Sequence, residues 1–237
     1  MSIQFDKVQP KTKEQLKSLI EYTFNHNIYD LNFIDTSEIT DMSKLFMNCK
    51  YDFDISEWDV SNVTDMNHMF YDCDNFNCDL SKWNVSKVVN MFSTFSSCKK
   101  FEGKGLENWD VSAVTDMHYM FYECENLNCD LSDWDVSNVT NMWHLFDGCK
   151  KLDCDLSDWN VSKVKDMTSM FNGCKNFNCN LSRWNMSKVR NISYMFYNCT
   201  SFKGEGLYMW DASNIDDAIK TFKGCNKLTI PDWYKNI

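Results

Sequence analysis

Cysteine is the most reactive residue type in this sequence, and its twelve copies fall into two sets that follow the same repeat. Members of the second set follow a member of the first after five residues, a Cys-x4-Cys spacing that is an imprecise signal for zinc. We favour packing of small reduced thiols. Oxidation is the alternative, since stacked Cα atoms about 4.8 Å apart fall within disulfide range. The first set is Cys49, Cys73, Cys98, Cys124, Cys149, Cys174, Cys199 and Cys225, and the second is Cys78, Cys129, Cys154 and Cys179.

Aspartate, asparagine and histidine are the other side chains that could hold an ion. An Asp or Asn follows each repeated tryptophan or its equivalent, and we interpret it as a local turn in which the side chain bonds the backbone. Calcium binding is the less favoured alternative. Three of the four histidines, His68, His118 and His144, occupy non-equivalent positions in the repeat, which disfavours a zinc site. The residues after tryptophan are Asp35, Asp59, Asn84, Asp110, Asp135, Asn160, Asn185 and Asp211.

Catalytic motifs are missing from the sequence. It has only seven glycines, and it contains no dinucleotide-binding glycine fingerprint, P-loop, HExxH helix or GxSxG elbow. No nucleophile is paired with a base beyond what chance would give. We therefore predict no enzyme activity, no catalytic residue, no metal and no cofactor.

The side chains above are positioned by a repeat. Seven tryptophans are separated by 25, 26, 25, 25, 25 and 26 residues, and a period of this length is typical of solenoids. The cysteines of the first set each end a Phe-x-x-Cys element, which gives eight units. No single unit can enclose its own Trp, Met and Phe, so the units must be stabilised by stacking. The tryptophans are Trp58, Trp83, Trp109, Trp134, Trp159, Trp184 and Trp210.

Each unit has three parts. Met66, Met69, Phe70 and Cys73 are spaced i, i+3, i+4 and i+7, which predicts a two-turn helix with one apolar face. Asp65 and its equivalents stand where a side-chain oxygen caps the start of that helix. The alternation in 58–61 predicts a short strand, and the turn-forming residues of 75–81 predict a tight corner.

The fold predicted from these units is an α/β solenoid of the leucine-rich-repeat-like type, with eight coils of about 25 residues. Thr12-Lys13-Glu14-Gln15 resembles a capping box, and Leu16, Leu19, Ile20 and Phe24 form one apolar stripe, which together predict an N-terminal capping helix. We expect one folded domain, with a cap over residues 1–32, the repeats over 33–225 and a second cap over 226–237.

The unit resembles a known repeat. Residues 134–158, WDVSNVTNMWHLFDGCKKLDCDLSD, show it almost complete, and it is similar to the repeat of bacterial BspA-like surface proteins and mycoplasma-type lipoproteins over about residues 33–225. The resemblance implies a leucine-rich-repeat-like solenoid with a role in adhesion or protein interaction, and it implies no catalytic residues. Many such proteins are exported or lipid-anchored. The sequence shows no signal peptide or lipid-attachment cysteine near its start, so we expect a cytoplasmic protein, with the cell surface or secretion as the alternative.

Charge narrows the choice of partner. The formal net charge of −10 and the pI near 4.8 disfavour nucleic acid and anionic membrane surfaces. The sequence contains no run of about 18 apolar residues, so we expect no membrane insertion. A neutral or basic protein surface is the partner that this charge favours.

The outer positions of the predicted helices vary most between units and carry aromatic residues and histidines. Such a surface is typical of a protein interface, and the alternative is that the rings only seal the stack. We hypothesise a non-enzymatic, monomeric protein-interaction module that binds through an extended face. The alternatives are a surface adhesin unit and a structural, self-associating array. The candidate binding residues are His68, Tyr71, Phe92, His118, Tyr119, Tyr122, Trp143, His144, Tyr194 and Tyr197.

Overall fold

The computed structural model describes residues 7–236, so the first six residues of the predicted N-terminal cap and residue 237 lie outside the described part. Within residues 7–236 the regular elements are one α-helix, α1, and three 3-10 helices. No β-strand occurs in this part of the chain, which carries nine isolated parallel bridges instead. Helix α1 spans Lys13–Asn25, and the 3-10 helices span Leu106–Asn108, Leu207–Met209 and Asp232–Asn236.

Helix α1 confirms the helix predicted near the N-terminus. Thr12 is its N-cap, and the Thr12 hydroxyl accepts a hydrogen bond from the Gln15 N–H at 3.3 Å. Leu16 and Ile20, on the predicted stripe, are buried. Phe24 extends the stripe to the first repeat unit, where its ring centroid lies 6.4 Å from that of Phe46. The helix therefore covers the first unit through its apolar face.

Each unit contains a nine-residue turn segment where the sequence predicted a helix, and that prediction is wrong. In the second segment Met69 N–H bonds Met66 O (3.0 Å) and Cys73 N–H bonds Phe70 O (3.1 Å), which are i to i+3 turns. Other N–H groups of the segment donate to carbonyls of the next unit, as Met66 N–H does to Asn90 O at 3.0 Å. An α-helix would need these donors for itself. The segments are 41–49, 65–73, 90–98, 116–124, 141–149, 166–174, 191–199 and 217–225.

The strand predicted at 58–61 is also wrong. The Asp59 carboxylate accepts the Ser61 N–H at 2.9 Å, and the Val63 N–H bonds Val60 O at 2.9 Å, so the chain bends twice within six residues. Asp and Asn side chains compete with extended structure in this way. Asp65, predicted as a helix cap, accepts the Asn67 N–H at 2.9 Å and closes a third local turn.

Successive units stack in parallel and share one core. The bridges pair equivalent residues of neighbouring turn segments, such as Asp65 with Asn90 and Asn90 with Asp116. Equivalent phenylalanines form a column with nearly parallel rings, for example Phe95 and Phe121 at 5.7 Å and 5°. Equivalent tryptophans are buried, and each indole N–H donates a hydrogen bond to a carbonyl of the preceding unit, as Trp134 Nε1 does to Leu106 O at 2.8 Å. The stack thereby buries large rings and satisfies their polar groups.

The two units with 26 residues accommodate the extra residue by a local change. In each, two glycines with positive φ precede one of the short 3-10 helices: Gly103 (89°) and Gly105 (95°) in one unit, and Gly204 (78°) and Gly206 (88°) in the other. The tryptophans that follow these helices, Trp109 and Trp210, are still buried. The extra residue is accommodated in the segment before the tryptophan, and the tryptophan keeps its place in the core.

Every turn segment has two backbone positions in the left-handed region. The third residue of each turn carries the positive φ, as in a type II turn. In the third segment these residues are Ser93 (52°) and Ser97 (61°). The position of Ser97 is occupied by Gly148, Gly173 and Gly224 in other units. A left-handed conformation costs an L-residue about 1–2 kcal/mol.

We therefore expect Ser97→Gly to stabilise the protein. The gain should be about 0.5–1 kcal/mol, because removal of the left-handed penalty is partly offset by the larger entropy of glycine in the unfolded chain. Urea unfolding followed by tryptophan fluorescence would measure it. Ser96→Gly is the matched control: Ser96 is buried and has no positive φ, so glycine there should destabilise. A lower urea midpoint for Ser97→Gly than for the parent would contradict the prediction.

Candidate binding surface

The cysteines form hydrogen-bonded columns in the core. The Cys98 thiol donates to Phe70 O at 2.9 Å, and the Cys124 thiol donates to Phe95 O at 2.9 Å, so each thiol bonds the preceding unit. Burial raises the pKa of Cys73 to about 12 and raises the pKa of Cys98 well above its ordinary value. All twelve cysteines are free. The thiols are packing groups, as the sequence favours, and those of the first set from Cys73 onward also donate hydrogen bonds to the preceding unit, which the sequence analysis missed.

The residues after each tryptophan or its equivalent form the predicted local turns, and this prediction is confirmed. Asp35 accepts the Ser37 N–H at 3.1 Å, and Asp110 accepts the Ser112 N–H at 3.0 Å. Bonding to Ser37, first through its hydroxyl, holds the pKa of Asp35 below its ordinary value. Within residues 7–236 no group of three or more His, Cys, Asp or Glu side chains is arranged to hold a metal ion.

Eight of the ten candidate binding residues form one continuous cluster, which we call the aromatic-histidine patch. Its ring contacts cross four successive turn segments: His68 meets Phe92 at 4.5 Å, and Phe92 stacks on His118 at 4.0 Å. Phe92 also contacts Tyr119 at 6.4 Å, and Tyr119 stacks on His144 at 4.6 Å. The patch comprises His68, Tyr71, Phe92, His118, Tyr119, Tyr122, Trp143 and His144.

The remaining two candidates lie apart from the patch. Tyr194 and Tyr197 contact each other at 5.7 Å, and Lys220 Nζ lies 5.5 Å from the Tyr194 ring centroid. The turn segment between this pair and the patch, 166–174, carries Thr168, Ser169 and Asn172 at the positions equivalent to the patch rings. The column of rings is interrupted there.

The patch is half-buried and open on its outer side. Trp143 is the most accessible member, with 38% of its surface exposed, and it contacts Tyr119 at 5.4 Å and His144 at 5.2 Å. Tyr122 contacts Tyr119 at 5.4 Å on the other side. The rings of the patch thus contact one another across units, and part of their surface remains exposed to solvent.

The electrostatic environment of the patch is acidic. His144 Nδ1 lies 2.6 Å from Asp147 Oδ2, and His118 Nδ1 contacts Asp116 Oδ1. Burial, with Glu123 nearby, raises the pKa of Tyr122 to about 12. Burial, followed by the positive charge of Lys44, lowers the pKa of His68. The four turn segments that build the patch contain Asp65, Asp72, Asp116, Glu123 and Asp147 but no lysine or arginine.

The patch histidines contact oxygen atoms of neighbouring side chains. In the described part of the chain, the hydrogen bonds of the patch histidines reach Asn67, Asp116 and Asp147, and none reaches a hydroxyl or a thiol. A nucleophile activated by histidine needs such a bond. Stacked rings beside carboxylates form a surface suited to cationic groups, which bind ring faces and negative charge together.

The stacked, equivalent units define the protein as a repeat protein. The family described as Mycoplasma protein of unknown function, DUF285, matches residues 14–133, 91–206 and 115–233. The chain belongs to this family. No curated protein and no solved structure matches the chain. Within residues 7–236 no helix combines the length and apolar composition that a membrane crossing requires.

Proposed function

We propose that the chain is a solenoid-type, non-enzymatic interaction module that binds a protein partner through the aromatic-histidine patch. The observation that carries the proposal is the continuity of the eight rings across four turn segments that hold carboxylates and no lysine or arginine. Aromatic residues dominate the binding energy of many interfaces. The partner surface that fits this patch presents arginine or lysine beside apolar groups.

A surface adhesin is the second candidate function. It is favoured by the resemblance of the repeat unit to those of BspA-like surface proteins and mycoplasma-type lipoproteins. The binding chemistry would be the same, and the location of the partner would differ. Protease treatment of intact native cells distinguishes the two: loss of the protein from intact cells supports the adhesin, and survival until lysis supports an internal partner.

The double variant Tyr122→Ala, Trp143→Ala tests the binding role. Peptides selected from a displayed library on the parent chain should be rich in arginine or lysine, and their affinity for the double variant should fall at least tenfold, because each buried aromatic anchor contributes about 2 kcal/mol or more. The unfolding free energy should fall by less than about 2 kcal/mol, since neither side chain is fully buried. Fluorescence anisotropy and urea unfolding measure the two effects.

Tyr197→Ala, Tyr208→Ala is the matched control. It also removes two rings, one from the separate tyrosine pair and one that is 78% exposed, and it should leave peptide affinity unchanged. Selected peptides without basic residues, or peptides that bind the Tyr122/Trp143 variant as tightly as the parent, would contradict the proposal. A large loss of stability with unchanged binding would instead assign the rings to sealing the stack.

A further inference from the structure

The first turn segment has an unpaired backbone edge. In later segments the carbonyls at alternate positions accept N–H groups from the preceding unit: Asn67 O accepts from Lys44 at 2.9 Å, and Met69 O accepts from Phe46 at 2.9 Å. The equivalent carbonyls of the first segment belong to Ser43 and Leu45, and the next belongs to Met47. None of these three accepts a hydrogen bond within residues 7–236.

The carbonyls at this edge have no backbone donor because a helix precedes the first turn segment. Helix α1 takes the place that a preceding turn segment has elsewhere, and an α-helix uses its backbone N–H groups internally. By equivalence with Asn67 and Met69, the bare carbonyls face the end of the stack on which α1 lies. Unpaired backbone groups in a row are a template for another chain.

A cleft of about 700 Å³ lies between α1 and this edge. Ile20 and Phe24 of the helix line one side, and residues 45–47 of the first turn segment line the other. Met47 is 40% exposed and Tyr51, also lining the cleft, is 45% exposed. The cleft therefore offers apolar surface next to two free backbone acceptors that are two residues apart.

The charge at the cleft is opposite to that of the whole chain. Lys17, Lys44 and Lys50 line it together with one acid, Glu21. Lys50 is paired with Asp72 at 2.8 Å, whereas Lys17 and Lys44 have no ion pair within the described residues. A chain of net charge −10 thus presents, at this position, two lysines that form no ion pair with a described residue.

We propose that the cleft binds a short extended peptide segment in which acidic and apolar residues alternate. Two of its N–H groups, two residues apart, donate to Leu45 O and Met47 O, so the segment extends the parallel stack by one edge. Its apolar side chains cover Phe24, Met47 and Tyr51, and its carboxylates lie near Lys17 and Lys44. This second site is separate from the aromatic-histidine patch and does not depend on the function proposed for it.

The test uses an acetylated and amidated heptapeptide, Glu-Val-Asp-Leu-Glu-Val-Asp, and two N-methylated forms of it. One form is methylated at the apolar residues and the other at the acidic residues. Alternate N–H groups of a strand point to opposite sides, so only one form should lose binding. We expect that form to bind at least tenfold more weakly in fluorescence anisotropy, because it cannot form two of the backbone hydrogen bonds to the edge. Amide shifts in NMR spectra should map to residues 44–51.

The chain variants test the charge. Lys17→Glu, Lys44→Glu should weaken the peptide at least tenfold at low salt, whereas Lys151→Glu, Lys188→Glu, with the same change of net charge on distant units, should have little effect. Equal binding of both methylated forms, shifts confined to other residues, or no binding would overturn the proposal. Self-association of the chain that the peptide displaces would overturn it too, by assigning the cleft to a second copy.

Discussion

The Phe121→Ala variant should lose about 3–5 kcal/mol of unfolding free energy, the range for removing a buried phenylalanine. Phe121 has no exposed surface. Its ring lies between Phe95 at 5.7 Å and Phe146 at 5.6 Å, nearly parallel to both, and it also meets Trp134 at 6.1 Å. The neighbouring rings are held by backbone bonds between units and cannot collapse into the space, so most of the cavity cost should remain.

Urea unfolding measured by tryptophan fluorescence and by far-ultraviolet circular dichroism tests this expectation. Phe121→Leu is the control: it keeps most of the apolar volume and should lose less than about 1.5 kcal/mol. The two probes should report one transition, because the units are stabilised by their neighbours. A loss below about 1.5 kcal/mol for Phe121→Ala would show that the phenylalanine column is loosely packed and that its regular spacing contributes little to stability.

The sequence predicted which residues enter the core better than it predicted the backbone that places them there. Met66, Met69, Phe70 and Cys73 were expected on one inward face, and all four are fully buried. Spacings of i, i+3, i+4 and i+7 suit a helix, but two successive i to i+3 turns produce the same inward set. Periodicity of apolar residues alone cannot separate these backbones when the segment is only nine residues long.

A signal for the turns was nevertheless present in the sequence. One position of the turn segment, seven residues after its leading Asp or Asn, carries residue types that tolerate the left-handed region. Examples are Asn48, Asp72, Gly148 and Gly173. Their recurrence at one position in the unit is typical of a turn and unfavourable inside a helix. Ser97 and Glu123 at the same position obscure the pattern.

The candidate surface was predicted residue by residue as one patch, but which of its rings contact one another was not predicted. Whether Tyr119 contacts His144 depends on the spacing of neighbouring units, which follows from the backbone bonds between them. The left-handed φ of Tyr119 (57°) and His144 (54°) also directs their side chains, and it was not predicted. The cleft beside the first turn segment required the placement of α1, which no local pattern specifies.

The Gly105→Ala variant should show the second large loss. Gly105 has φ of 95°, and a Cβ atom built there would lie 2.1 Å from Ser81 N and 2.5 Å from the carbonyl carbon of Leu80. Both atoms are backbone of the preceding unit, so no side-chain rotation can relieve the overlap. The left-handed penalty of about 1–2 kcal/mol and an overpacking cost of about 1–3 kcal/mol together predict a loss of about 2–5 kcal/mol.

Gly173→Ala separates the two causes. Gly173 also has a positive φ, 71°, but the nearest atom to its Cβ position is Gly148 Cα at 3.8 Å, an ordinary contact. That variant should lose only the left-handed penalty, about 1–2 kcal/mol. Gly206→Ala, with Ser182 N at 2.2 Å, should behave like Gly105→Ala. If urea unfolding gave equal losses for the Gly105 and Gly173 variants, close approach of neighbouring units would not be the reason for glycine at position 105. The extra residue in the 26-residue units would then be accommodated by backbone conformation alone.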